Sequence, residues 1–287
     1  MDTLFLAHLL NGLLMIAMPV GLAIYLTSHW KVGGRIWWIG AATFVLSQVG
    51  HIPFNWAAGK ILNQTSMIRW NPTSQLIFNA VFLGLSAGIF EEGARYLAMR
   101  WWAKETRSWR KGIMFGAGHG GAEAIILGLL ALYAFLQLAT LRNADLTRLF
   151  PSNQLALAQN QVKAYWSTPW YMAMLGALER LFTIPCQIAM AVMVMQVFTR
   201  RNIGWLFAAI GYHALLDGVA VIGQKYISPV SLEGVIGIFA VLSVTIIFLL
   251  RQPEPVVVVP PVTPAFVVPV PEPVLETAEN LEDTRYQ

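Results

Sequence analysis

The chain carries little charge and almost no cysteine. Charged residues make up 12% of its 287 positions and hydrophobic residues 56%, whereas a soluble domain normally carries about 25% charged residues. Cys186 is the single cysteine, which excludes an internal disulfide framework and a cysteine-ligated metal centre. The composition predicts a membrane protein with several spanning segments. We expect all of them to be helices, because lipid offers no hydrogen-bond partner to a free backbone group.

The chain has a net charge of +4 and a pI near 9.3. A basic surface is also typical of nucleic-acid binding, but these Lys and Arg residues cluster in short segments between apolar stretches, as membrane orientation requires. We therefore expect membrane lipid as the surroundings and no nucleic-acid partner. The first apolar segment has no basic region before it and is long enough to span a bilayer, so we expect a retained helix and no cleaved signal peptide.

Seven apolar segments are long enough to cross a bilayer. By residue number they are 4–26, 36–57, 75–99, 112–138, 171–198, 203–222 and 230–250. From Gln252 onward the chain is rich in proline and valine, with acidic residues near its end. The sequence thus predicts an all-α bundle of about seven transmembrane helices over 1–251 and a disordered cytoplasmic tail over 252–287.

The basic residues also predict the orientation of the chain. The segment between the third and fourth apolar stretches holds Arg100, Lys104, Arg107, Arg110 and Lys111, and cytoplasmic loops carry the excess of such residues. We expect a multi-pass protein of the cell membrane with its N-terminus outside and its C-terminus in the cytoplasm. The loop over 141–169 ends in aromatic residues, which favours a short interfacial helix there.

Ionisable side chains interrupt the apolar segments in three groups, an arrangement that is costly in hydrocarbon and typical of functional sites. The groups are Glu91-Glu92-Gly-Ala-Arg95, His119-Gly-Gly-Ala-Glu123 and His213-Ala-Leu-Leu-Asp217. At a helical rise of about 1.5 Å per residue, the first members of the groups lie roughly 12–15 Å from the cytoplasmic ends of their segments. The similar depth predicts that the three groups meet in one buried site.

Each group also has a purely structural interpretation. Glu91 and Arg95 stand four residues apart and can form an ion pair along a helix, and His213 and Asp217 can satisfy each other by hydrogen bonding. Glycines at helical spacing precede both Glu91 and His119, which predicts close packing of the third helix on the fourth. Packing does not explain why the fourth segment also carries a histidine and a glutamate, so we favour a functional site.

Two further polar groups lie outside these three. His51 lies deep in the second segment with Gln48 and Asn55 one turn away on either side. It either lines the same cavity or closes a kink next to a proline. Glu179 and Arg180 are adjacent in the fifth segment, and we expect them to be structural or to form part of a cavity mouth.

The site residues suit the activation of water in two ways. Two histidines and a carboxylate are a familiar zinc set with an open position for water, and His119, His213 and Glu123 are its candidates. Alternatively, a glutamate among apolar helices acts as a general base without a metal. Two rivals remain. A proton-coupled transporter also uses buried Glu, His and Asp, and a non-catalytic scaffold or immunity-type protein would keep the pocket without turnover.

In chain order, Glu91-Glu92-Gly-Ala-Arg95, Phe115-Gly-Ala-Gly-His119 and His213-Ala-Leu-Leu-Asp217 resemble the motifs of the CAAX prenyl protease and bacteriocin-processing superfamily of intramembrane proteases. Within it the chain is most similar to the YhfC group of bacterial membrane peptidases. The patterns His-Gly-x-x-Glu and His-Ile-Pro-x-Asn and the Glu-Arg pair of the fifth segment carry this likeness. The resemblance covers the second to the sixth segment and not the tail.

The resemblance implies a role for each motif. Glu91 or Glu92 would be the general base, with His119 as its partner, and His213 with Asp217 would stabilise the oxyanion or bind a metal. The substrate would be a peptide bond in or near the membrane. The expected supporting residues are Arg95, Glu123, Asp217 and His51.

Overall fold

The computed structural model describes residues 2–64 and 71–253, and within these residues all regular secondary structure is helical. In chain order the helices are α1 (Thr3–Trp30), α2 (Arg35–Gln64), α3 (Pro72–Trp101), α4 (Trp109–Leu141), α5 (Leu146–Leu149), α6 (Ser152–Ser167), α7 (Trp170–Ala173), α8 (Leu175–Thr199), α9 (Gly204–Tyr226) and α10 (Pro229–Leu249). This all-helical architecture confirms the predicted fold class. The tail was predicted to be disordered, and its residues from 254 onward lie outside the described ranges.

The long helices coincide with the predicted apolar segments. Among the described residues, six helices are long and apolar enough to cross a membrane: α1, α3, α4, α8, α9 and α10. α2 has the length but not the apolar composition, and it carries Gln48, His51 and Asn55 at helical spacing along one side. The fifth segment differs from the prediction, because its first residues form the separate one-turn helix α7 and α8 begins only at Leu175.

α3 packs closely on α9 because two of its glycines face the α9 backbone. A Cβ at Gly84 would lie 2.5 Å from the carbonyl oxygen of Ala214, and one at Gly88 would lie 2.8 Å from that of Ile210. Real Cβ atoms do not approach an oxygen so closely, so only glycine allows this spacing. The predicted packing of this glycine stripe on the fourth helix is therefore wrong.

The glycines of α4 serve two other neighbours. A Cβ at Gly116 would lie 2.6 Å from Cα of Ile188 in α8, and one at Gly118 would lie 2.0 Å from the carbonyl oxygen of Trp37 in α2. α4 is thus held between α2 and α8. The sequence did not show which helices pair, because a stripe of small residues favours close approach but does not specify which helix approaches.

α8 lies at the centre of the bundle. It is the most buried of the six spanning helices, and it contacts α1, α3, α4, α9 and α10. Its polar side chains therefore reach the charged groups of several neighbours. The loop between α4 and α8 contains α6, the short helix predicted there. Trp166 of α6 donates from Nε1 to the carbonyl oxygen of Leu138 at 2.9 Å, which ties α6 to the end of α4.

Candidate active site

Three ionisable side chains of α3 are buried in the bundle. Glu91 is 6% exposed, and Glu92 and Arg95 are fully buried. Nη1 of Arg95 donates to both carboxylate oxygens of Glu92 at 2.7 and 2.9 Å, whereas Nη2 lies 3.7 Å from Oε2 of Glu91. The short ion pair of Arg95 is therefore with Glu92. The four-residue spacing in the sequence had favoured Glu91 as its partner. Two carboxylates share one permanently charged guanidinium, so the group carries an excess of negative charge when both are ionised.

The two adjacent glutamates face different histidines, because successive residues of a helix point about 100° apart. Oε2 of Glu91 lies 3.1 Å from Nε2 of His119 in α4. Oε1 of Glu92 lies 2.8 Å from Nδ1 of His213 in α9. Both histidines are almost completely buried. Two carboxylate–imidazole pairs thus connect the motifs of three helices in one cluster.

Asp217 stands one turn after His213 on α9. Its Oδ2 lies 3.6 Å from Nε2 of His213, which is longer than a hydrogen bond. The Asp217 side chain is 37% exposed. Nε2 of His213 therefore faces a carboxylate without being bound to it, and Asp217 provides negative charge at the edge of the cluster.

A cavity of about 140 Å³ lies against this cluster. Since one water occupies about 30 Å³, the cavity has room for a few waters or for a short piece of peptide backbone. Its charged and amide lining comes from α3, α4, α8 and α9: Glu91, Glu123, Glu179, Arg180, Gln187, His213 and Asp217. Among the predicted site residues, Glu92, Arg95, His119 and His51 are not part of this lining.

Glu123 is held from α8 at both of its carboxylate oxygens. Nη1 of Arg180 donates to Oε1 at 2.5 Å, and Nε2 of Gln187 donates to Oε2 at 2.6 Å. Arg180 also pairs with the adjacent Glu179, whose side chain is 39% exposed. Glu179 and Arg180, which the sequence left as structural or as part of a cavity mouth, both line the cavity, and Arg180 fixes Glu123.

Gln187 is a site residue that the motifs do not include. Its Oε1 accepts a hydrogen bond from Nη2 of Arg95, while its Nε2 binds Glu123. It therefore joins the charged group of α3 to that of α4. Its position seven residues after Arg180 places it two turns along the same helix face, and this spacing is the signal in the sequence that points to it.

Gln48 of α2 is a second site residue outside the motifs. Its Nε2 donates to Oε1 of Glu91 at 3.0 Å. His51, one turn further along α2, contacts Gln48 and not the cavity. The helical spacing of Gln48 and His51 in the sequence was the available signal, but it did not show which of them reaches Glu91.

The arrangement does not fit the predicted metal set of His119, His213 and Glu123. Within 2–64 and 71–253, no group of three or more His, Cys, Asp and Glu side chains is placed to hold a metal ion. Each imidazole faces a carboxylate of α3, and both oxygens of Glu123 bind Arg180 and Gln187. A cation at Glu123 would have to displace the guanidinium. We therefore derive no catalytic step through a metal.

The fold and the site together define a class: a helical membrane protein with a buried glutamate–histidine cluster beside an internal cavity. The family model described as YhfC intramembrane metalloprotease matches residues 14–240, which is more than half of the chain. The chain belongs to this family. It is 30% identical over 240 residues to a Bacillus subtilis (strain 168) protein described as uncharacterized membrane protein YhfC, covering 82% of this chain and 92% of that protein. No solved structure matches the chain.

Proposed function

We propose that the protein hydrolyses a peptide bond in or near the bilayer, with Glu91 as the general base. One observation carries the proposal: Glu91 lines the internal cavity while its Oε2 lies 3.1 Å from the buried imidazole of His119. A carboxylate that is held by an imidazole and opens on a small cavity is suited to bind and deprotonate a water molecule. The family description names an intramembrane metalloprotease, which supports hydrolysis of a peptide bond in the membrane.

The surroundings of the two glutamates favour Glu91 over Glu92 as the base. Both oxygens of Glu92 accept from Arg95, and Oε1 also faces His213. Glu92 is fully buried and does not line the cavity. Its carboxylate is thus closed off from the cavity and from the water there, so we assign it the role of holding His213.

The reaction balances with the residues present. A water bound at Glu91 loses a proton to the carboxylate while its oxygen attacks the substrate carbonyl, which becomes an oxyanion. His213 lines the cavity, and as an imidazolium, favoured by Glu92, it donates from Nε2 to that oxyanion. Glu91 then passes the proton to the leaving amine as the C–N bond breaks. The products are a carboxylic acid and an amine, and the Glu91 carboxylate is restored.

The test compares Glu91→Gln with Glu92→Gln in cleavage of a membrane-embedded reporter peptide. Glu91→Gln is expected to lower kcat/KM by roughly 10²–10⁴-fold, the usual contribution of a general base, and to leave the fold intact because Gln keeps the size of the side chain. Glu92→Gln is expected to lower cleavage less. Asp145→Asn, at an exposed helix cap outside the bundle, is the control and is expected to retain full activity.

Two outcomes would overturn this proposal. Cleavage that is unchanged in both glutamate variants contradicts the mechanism, and proton-coupled uptake without any cleavage indicates a transporter.

The metal content of the purified protein, with and without His119→Ala, decides between a metal-dependent and a metal-free hydrolase. We expect substoichiometric zinc that does not depend on His119. One zinc per chain that is lost in His119→Ala would establish a metal-dependent site.

A further inference from the structure

A row of polar side chains on α2 leads to Glu91 from the side opposite His119. Nε2 of Gln48 donates to Oε1 of Glu91 at 3.0 Å. Nδ1 of His51 lies 3.3 Å from Oε1 of Gln48. Nε2 of His51 lies 2.8 Å from Nδ2 of Asn55 and 3.1 Å from Oγ of Ser86. The row therefore runs over two turns of α2 and ends on the carboxylate of the proposed base.

The directions of the hydrogen bonds from Glu91 through Gln48 to His51 follow from the carboxylate end of this row. An ionised carboxylate only accepts, so Gln48 must present its NH₂ group to Glu91 and its carbonyl oxygen to His51. Nδ1 of His51 must then carry the proton, which leaves Nε2 as an acceptor. The NH₂ group of Asn55, which only donates, lies at that nitrogen. With the Asn55 amide in this orientation the other end of the row agrees with the same tautomer of His51, while the Ser86 hydroxyl donates to the carbonyl oxygen of Leu83.

Packing against α3 holds the row in place. The His51 ring stacks on Phe90 with centroids 5.5 Å apart. A Cβ at Gly50 would lie 2.9 Å from the ring of Phe90, so the glycine lets α2 approach α3 at this level. This approach brings Gln48 within reach of a residue that lies 43 positions away in the chain.

We propose that Gln48 is a positioning residue for Glu91 and that His51 acts through it by fixing the orientation of its amide. Gln48 holds Oε1 of Glu91, so the carboxylate presents Oε2 to His119 and to the attacking water. Loss of His51 would free the Gln48 amide to rotate and turn its oxygen toward the carboxylate. Partners that orient metal ligands in this way typically change activity by about 10- to 100-fold, and we expect an effect of the same order for a partner that orients a general base.

The inference rests on the proposed function, and Gln48→Met and His51→Phe test it. Gln48→Met keeps the length of the side chain and removes the donor. Its kcat is expected to fall about 10- to 100-fold, the loss of one hydrogen bond to a charged group, with KM within about twofold. His51→Phe keeps the ring against Phe90 and removes both nitrogens. It is expected to lower kcat less, and the double variant is expected to be no slower than Gln48→Met alone.

The control is Gln137→Met, the same substitution in α4, where the amide binds the exposed Tyr133. It is expected to keep the wild-type kcat. If Gln48→Met unfolds, His51→Phe and its KM carry the test alone. The inference is overturned if the wild-type protein cleaves the reporter and both α2 variants keep its kcat. It is also overturned if the two losses in kcat multiply in the double variant. A wild-type protein that cleaves no reporter would instead overturn the proposed function.

Discussion

At the centre of the site the charged side chains are buried, so each depends on its neighbours. Arg95 is the clearest case. It is fully buried, it binds both oxygens of Glu92, and it donates to Gln187. A buried charge that loses its partner costs several kcal/mol, whereas a surface pair contributes little. We therefore infer that Arg95 stabilises the folded bundle and takes no direct part in the chemistry.

Arg95→Met tests this assignment. The substitution leaves the Glu92 carboxylate buried without its guanidinium, and we expect it to destabilise the folded protein by about 3–5 kcal/mol. Unfolding in detergent, followed by circular dichroism, measures the change. Arg148→Met is the matched control, because Arg148 pairs with Asp145 while 85% of its side chain is exposed. An Arg95 variant as stable as this control would contradict the assignment.

At the scale of helices, the contacts of the candidate site depend on how closely α3 and α9 approach. Glu92 and His213 lie on these two helices, and their 2.8 Å contact requires the glycine packing at Gly84 and Gly88. α3 and α9 thus act as one unit that holds Glu92 against His213. A side chain between them would separate the groups without altering either one.

Gly84→Ala is expected to do this. Its Cβ would meet the Ala214 carbonyl at 2.5 Å, and overpacking of this kind costs about 1–3 kcal/mol. Both the unfolding midpoint and the rate of reporter cleavage should fall. Gly93→Ala in the same helix is the control, since nothing lies within 4 Å of a Cβ there, and it should keep both quantities. Equal losses in the two variants would show that helix packing at Gly84 is not the cause.

At the scale of the whole molecule, the crossing of α2 decides the topology in the membrane. Six helices are long and apolar enough to span by themselves, and α2 lies between α1 and α3 in the chain with a more polar composition. If α2 crosses with the other six, the start of α1 and the end of α10 lie on opposite sides of the membrane. The Lys and Arg residues in and next to the loop between α3 and α4 then predict that this loop is cytoplasmic.

Cysteine labelling in intact cells tests the crossing of α2. Cys186 is fully buried and is the only cysteine, so Cys186→Ala supplies a background for single-cysteine variants. An impermeant maleimide should label Asn160→Cys, in α6, from outside. It should label Lys104→Cys, between α3 and α4, only after permeabilisation. Labelling of Lys104→Cys from outside, with Lys31→Cys between α1 and α2 still protected, would show that α2 does not cross.

The sequence predicted much of this organisation because the signals are local. Composition and the length of apolar runs indicate a helical membrane protein, and these properties do not depend on which helices become neighbours. Spacing of three and four residues likewise placed Arg95 beside the glutamates and Asp217 beside His213. The depth of each motif in its segment indicated that Glu91, His119 and His213 lie at one level, which is where the structure has them.

By itself, then, the sequence determined the fold class, the apolar segments that form the long helices and the motif residues that they carry. Only the tertiary structure decided that Glu91 faces His119, that Glu92 faces His213, and that Gln48 and Gln187 complete the site. It also decided that Glu123 binds Arg180 and Gln187. The physical reason is that contacts between helices depend on their neighbours and rotation, which glycine stripes permit but do not specify.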